Sequence, residues 1–224
     1  MKRFLLAALL WLPLMFFFWF WLAGPLVWPV VQIAKFVLLH GWPQVFSAVA
    51  QGADLLDAQG RVLAHPAYLV QLSTSVLVDV AGPGEPAKFG YIEPTINPLV
   101  YGYSLPLFVG LVLATPLGVR RRLAEIGVGV PLLWLAQAFG AVAESLKVVL
   151  IDSGPLGADA AQRAGLSLNL VALCYQFGYL ILPSLLPAVL WIAGNRPFID
   201  VLTRRDGAEP GRGSGVEVRQ ANSR

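Results

Sequence analysis

The sequence predicts an α-helical integral membrane protein of about four transmembrane helices, with a small extracytoplasmic β-rich domain between the first and second spans. Three observations carry this. Of 224 residues, 57% are hydrophobic and 13% charged, where a soluble domain carries about 25% charged residues. The run Arg120-Arg121-Arg122 separates two apolar stretches, residues 97–116 and Leu123 to Ile151. Each is long enough to cross a hydrocarbon core of about 30 Å at about 1.5 Å per residue. Between residues 41 and 98 the apolar runs give way to Gly-Pro turns, acids and strict alternation.

Residues 1–40 are read as an N-terminal membrane anchor. Met1-Lys2-Arg3 is a basic start, and Phe4 to Leu39 is apolar except for Gln32 and Lys35. The apolar run is too long for a signal peptide, and the bulky Trp19–Trp21 neighbourhood stands where a peptidase needs small residues. Pro25 and Pro29 are expected to kink or end this first span. Leu26–Leu39 then either lies along the outer interface, with Trp21, Trp28 and Trp42 as interfacial anchors, or crosses the membrane.

Residues 41–98 form the β-rich domain. Val70, Leu72, Thr74, Val76, Val78 and Val80 alternate with Gln71, Ser73, Ser75 and Asp79. That is the period of a half-buried strand. Gly82-Pro83-Gly84-Glu85-Pro86 reads as a turn, and Ala87–Ile92 as the returning arm of a hairpin. Asp57-Ala58-Gln59-Gly60 reads as a second tight turn. So small a domain is marginal on its own core and is expected to lean on the membrane or a partner.

Residues 99–195 are read as a three-helix membrane region. Its second and third spans flank the arginines. A loop at Asp152–Gly157 leads to a fourth span over Leu166–Ala193, bent at Pro183 and Pro187. Residues 196–224, poor in bulky apolar residues, read as a disordered cytoplasmic tail. Three arginines between two spans resist transfer through lipid, which fixes Arg120, Arg121 and Arg122 as topology-setting residues on the cytoplasmic side. With Lys2, Arg3, Arg196, Arg204, Arg205, Arg212, Arg219 and Arg224 they make eleven inner cations. Lys35, Arg61, Lys88, Lys147 and Arg163 make five outer ones, for a total of sixteen. Both termini are thus expected inside and residues 41–98 outside.

An ionisable group within a span costs about 2.5–3.5 kcal/mol on insertion scales and needs a reason. Glu144 and Lys147, three apart on the third span, can pair with each other. Gln137 and Gly140 continue their stripe. On the fourth span Asn169, Gln176 and Tyr179 share a face, and pairing with the Gln137–Glu144 face is the expected geometry. Gln137, Glu144, Lys147, Asn169, Gln176 and Tyr179 are therefore candidates for a helix or partner interface. Tyr101, Tyr103 and Ser104 read as an aromatic belt. Cys174, in apolar company, reads as an inert small hydrophobe. His40 and His65 read as solvated. The sequence has no phosphate loop and no GxSxG or HExxH motif, and its basic residues flank spans without forming a basic face. No catalytic residue, metal site, small-molecule cofactor or nucleic-acid partner is assigned. The competing reading is a small intramembrane hydrolase or transferase using Cys174 or Glu144.

The segments WLPLMFFFWFWLAGPLVWPV, INPLVYGYSLPLFVGLVLATP, WLAQAFGAVAESLKVVL and CYQFGYLILPSLLPAVLW resemble the exosortase H-associated membrane protein family over about residues 10–195. The resemblance implies a non-enzymatic accessory to bacterial protein sorting in the cytoplasmic (inner) membrane. The implied partners are an exosortase or its sorted substrates, beside the lipid bilayer. It carries over no catalytic residue.

Overall fold

The computed structural model describes residues 2–57, 59–79 and 89–200. Helix α1 (Lys2–Trp21) leads directly into α2 (Ala23–Gly41). The break falls at Leu22, not at Pro25 or Pro29. Backbone bonds from Leu22 N to Phe18 O (2.9 Å) and from Leu26 N to Leu22 O (3.0 Å) carry the ladder across it. Pro25 sits in the first turn of α2, where a missing amide hydrogen costs little. Pro29 is held inside the helix. The two helices then separate in role. α1 lies along α4, whereas α2 turns a face of Ala23, Val27, Val30, Val31, Ala34 and Leu38 toward the sheet and α5.

The sheet layer follows. Strands β1 (Phe46–Gln51), β4 (Val70–Thr74) and β7 (Thr95–Ile96) form an antiparallel sheet in the order β1-β4-β7. Val49 stands opposite Leu72, and Val70 opposite Ile96. The expected parity holds in this stretch: Val70, Leu72, Thr74 and Val76 are buried. The long strand does not run through, however. Thr74 Oγ1 donates to Ile92 O at 2.8 Å and accepts from Val76 N at 3.3 Å, and the chain leaves the first sheet there. It continues as β5 (Leu77–Asp79), paired with β6 (Phe89–Tyr91) as the expected hairpin. The turn expected at Gly82–Pro86 lies outside the described residues, as does the tail expected over 196–224 apart from residues 196–200, which are helical and not disordered.

A second hairpin joins β2 (Leu55–Leu56) to β3 (Val62–Ala64) through the turn expected at Asp57–Gly60. Gly60 adopts φ +77°, a conformation that glycine alone adopts without steric cost. Asp57 holds the turn together. One carboxylate oxygen accepts from the amides of Gln59 (2.9 Å) and Arg61 (2.8 Å), and the other from Arg61 Nε (2.8 Å).

After the sheet come α3 (Leu99–Gly102) and α4 (Ser104–Ala114), a broken apolar helix shorter than the expected second span. α5 (Val119–Leu150) contains 32 residues, or about 48 Å. The Asp152–Gly157 segment is less of a loop than expected, because α6 (Gly154–Arg163) begins within it. Gly157 allows α6 to sit against the end of α5; a Cβ there would lie 2.6 Å from Val149 O. The last apolar run is α7 (Leu168–Gln176), a π-helical turn (Phe177–Ile181) and α8 (Leu182–Gly194). Among the described residues, four helices are long and apolar enough to cross a membrane: α1, α2, α5 and the α7–α8 run.

Two cores result. The larger joins the sheet residues Phe46, Val49, Val70, Leu72 and Ile96 to α2, to the second half of α5 and to α6. The β-rich segment thus leans on helices of its own chain. The smaller core, Phe108, Val112 and Leu133, lies near the other end, with Leu186, Leu190 and Trp191 of α8 against it.

The Asp57 turn gives a pH test. The Arg61 amide is the main cause holding the Asp57 carboxyl below its ordinary value of 3.8; burial opposes it, and the Arg61 guanidinium and Gln59 amide add to it. A depressed carboxyl stabilises the fold above the unfolded value, and this contribution is lost as pH falls through the folded one. The Arg61 amide proton resonance in detergent micelles should hold from neutral pH down to about 4 and move toward random-coil values below that. A resonance unchanged at about pH 2, or one already at random-coil values at neutral pH, would show that the carboxylate does not organise the turn.

Candidate functional site

Polar side chains gather at two levels of the bundle. The first lies where α5 passes α3 and the π turn. Gln137, 6% exposed, donates from Nε2 to Ser104 Oγ (2.9 Å) and to Gly102 O (3.3 Å). It thereby satisfies the break between α3 and α4. Two turns further along α5, Glu144 faces the hydroxyl of Tyr101. Tyr101 is 0% exposed, so its expected place in an aromatic belt is corrected to the centre of the bundle. Neither Tyr101 Oη nor Glu144 Oε2 reaches hydrogen-bond geometry with any group among the described residues.

Lys147 does not take Glu144 as its ion-pair partner. Its ammonium meets Asp152 Oδ2 at 2.7 Å, beyond the end of α5, and stands 5.3 Å from the centre of the Tyr175 ring. The Tyr175 and Tyr179 rings lie 5.0 Å apart, tilted by 35°, and Tyr179 meets Tyr101 edge-on at 6.2 Å. A chain of rings thus connects the lysine to the buried tyrosine.

The π turn makes this possible. α5 and the turn cross at Gly140 and Gly178: a Cβ on Gly140 would lie 3.1 Å from Gly178 O, and one on Gly178 would lie 3.0 Å from Gly140 Cα. A π turn inserts an extra residue and changes the face presented beyond it. Tyr179 is therefore brought to the bundle, while Asn169 and Gln176 are exposed on the outward side of α7. The expected pairing of those two amides with the Gln137–Glu144 face is not formed.

The second level joins the start of α5 to the end of α8. Arg121 bonds Glu125 Oε1 through Nε (3.2 Å) and Gly194 O through Nη2 (2.7 Å). Glu125 Oε2 accepts from Nδ2 of the fully buried Asn195 at 2.9 Å. Arg122 Nη2 donates to Thr115 O (2.9 Å), and Trp191 Nε1 to Thr115 Oγ1 (2.9 Å). Phe4 stacks on Trp191 at 5.8 Å and meets Phe198 at 5.4 Å. The beginnings of α1 and α5 and the ends of α4 and α8 therefore converge. Thr115, Glu125, Trp191 and Asn195 were not singled out in the sequence; Glu125, four residues after Arg121, was the available signal.

His40 and His65 are exposed; His65 Nδ1 stands 2.5 Å from Asp54 Oδ1. Cys174 is a free, half-buried thiol. Among the described residues no three His, Cys, Asp or Glu side chains are grouped as metal ligands.

Apolar helices of spanning length, linked by buried polar contacts and capped by a small sheet, define a multi-pass membrane protein. The chain belongs to the exosortase H-associated membrane protein family, whose model matches residues 1–198. No curated protein matches it, and no solved structure does.

The Gly140–Gly178 crossing and the Gln137 bonds can be tested by thermal unfolding in detergent. Gly140→Ala meets backbone that cannot yield and should cost about 1–3 kcal/mol. Gln137→Leu removes the donor to Ser104 Oγ and to the Gly102 carbonyl and should cost about 1–2 kcal/mol. An unchanged or raised midpoint for Gly140→Ala would show that the helices have room to spare.

Proposed function

We propose that the chain is a non-enzymatic accessory membrane protein of an exosortase-type protein-sorting system. In this reading it contacts the sorting transpeptidase or its substrate through the sheet layer and the polar helix faces. The observation that carries the reading is the family match across residues 1–198.

The bundle crosses the bacterial inner membrane with the arginine end in the cytoplasm and the sheet layer outside. The convergence of Phe4, Arg121 and Gly194 at one end supports this orientation, as does the eleven-to-five division of cations. The β5–β6 hairpin is the leading contact surface. Leu77, Phe89 and Tyr91 are 46%, 64% and 64% exposed. Large apolar side chains grouped on an outer hairpin mark an interaction site, and aromatic anchors carry much of the energy of such contacts. Asn169 and Gln176, outward among Leu170, Leu173 and Phe177, offer a second surface through which a partner helix is held by amide hydrogen bonds.

The test is affinity purification of the full chain from native membranes in mild detergent, with mass spectrometry of the eluate. An exosortase or a tail-bearing secreted protein should accompany the wild type. Phe89→Ser with Tyr91→Ser should lower that yield about tenfold or more, since two anchors together contribute upward of about 1.4 kcal/mol, while leaving the unfolding midpoint in place. A wild-type eluate without such a partner would sink the proposal. A variant that recovers the partner fully would remove the hairpin from it.

A further inference from the structure

We propose that a lateral cleft at the arginine end is a binding site for a phospholipid with an anionic headgroup, one acyl chain lying between α5 and α8. Both helices rest on α4, with Phe108 as the shared support. Gly129 lets them splay around that ring, since a Cβ there would lie 2.2 Å from Phe108 Cζ. The splay opens a cavity of about 380 Å³ between Ala124, Val128, Gly129, Leu190 and Ala193, with Phe108 as its floor. That volume falls in the range of about 300–1,000 Å³ typical of small-ligand sites. Ala124, Val128 and Ala193 are exposed along the open side. An acyl chain can therefore enter sideways from the bilayer without parting any helices.

The charges at the closed end select the headgroup. Arg121 bridges from α5 to Gly194 O and shuts the cleft there. Glu125, the one acid in the lining, has both oxygens engaged, by Arg121 and by Asn195. Its negative charge is thus offset within the wall. Arg120 precedes Ala124 by four residues on the same ridge of α5, is exposed, and has no partner among the described residues. Arg122 turns instead to Thr115 O at the end of α4 and takes no part in the cleft. An apolar slot ending in surplus arginine matches a lipid whose tail is hydrocarbon and whose head is anionic; basic pockets between transmembrane helices bind such headgroups. A free phosphate ion would use only the rim and leave the slot unfilled. The inference requires that α4, α5 and α8 lie in a bilayer. It does not require the sorting role.

The test uses the full chain purified in detergent, incubated with phosphatidylglycerol or phosphatidylcholine and examined by native mass spectrometry. The wild type should retain one phosphatidylglycerol per chain in preference to phosphatidylcholine. Arg120→Gln should lower that preference roughly fivefold, the effect of one interfacial charge, without loss of the apolar contribution. Ala124→Phe fills the slot from one wall and should abolish retention of both lipids. Ala193→Phe does the same from the opposite wall, so that a folding defect in one variant leaves the other to decide. Retention unchanged in both Phe variants, or equal retention of the two lipids by the wild type, overturns the proposal. So does a wild-type chain that carries a stoichiometric protein in place of lipid and loses it in the Phe variants. Displacement of the lipid by inorganic phosphate alone would also overturn it, by showing that the rim and not the slot does the binding.

Discussion

A helix of 32 residues is about 18 Å longer than a hydrocarbon core of about 30 Å requires. The two halves of α5 accordingly pack in two different ways. The first half meets α4 and α8 around Phe108 and Leu133; the second meets α2, α6, α7 and the sheet through Ala138, Ala141, Leu146 and Val149. Every other large element touches this one helix or a neighbour that does. The crossing at Gly140 and Gly178 lies between the halves, and a side chain on either glycine would meet the other helix's backbone. Close by, the rings of Tyr175, Tyr179 and Tyr101 meet in sequence, the first pair tilted and the second edge-on.

The polar groups follow the same division. Gln137 satisfies a backbone break, Lys147 reaches past the helix end to Asp152, and Arg121 with Glu125 and Asn195 fastens the opposite end. Each spans two elements, as expected where the surroundings cannot supply water for an unpaired group. Other buried polar atoms stay unpaired among the described residues: Tyr101 Oη and Glu144 Oε2, and also Trp134 Nε1 and Arg122 Nε.

Much of this was readable in the sequence, for physical reasons that differ by segment. Long apolar runs can only be spans or a buried core, so the helices were legible. Alternation at Val70, Leu72 and Thr74 fixed which side of the strand is buried, because a slip of one residue would expose the whole set. The Asp57–Gly60 turn was legible from its Asp and Gly. What failed depended on distance or on phase. Glu144 was matched to Lys147, three residues away, because the structure's answer, Tyr101, lies on another helix. The π turn leaves no local signature, so the helical period that puts Tyr179 on the face of Asn169 and Gln176 does not hold across Phe177–Ile181. Helix α6 was hidden because Gly154-Pro155 reads as a loop, whereas Pro155 at a helix start removes only an amide that would have gone unpaired. The break falls at Leu22, where no residue signals it, and α2 absorbs the nearby prolines.

The join at Leu22 also has a mechanical meaning. With no loop between them, α1 and α2 share one hydrogen-bond ladder across a single bent residue. α2 is 19 residues long, so its far end stands about 28 Å from the pivot. A tilt of about 10° at Leu22 would carry Gly41, and with it the first strand, through roughly 5 Å, while a flexible linker would absorb the same motion. The anchor and the sheet are therefore coupled as the two arms of a lever, and a force applied to either is felt by the other.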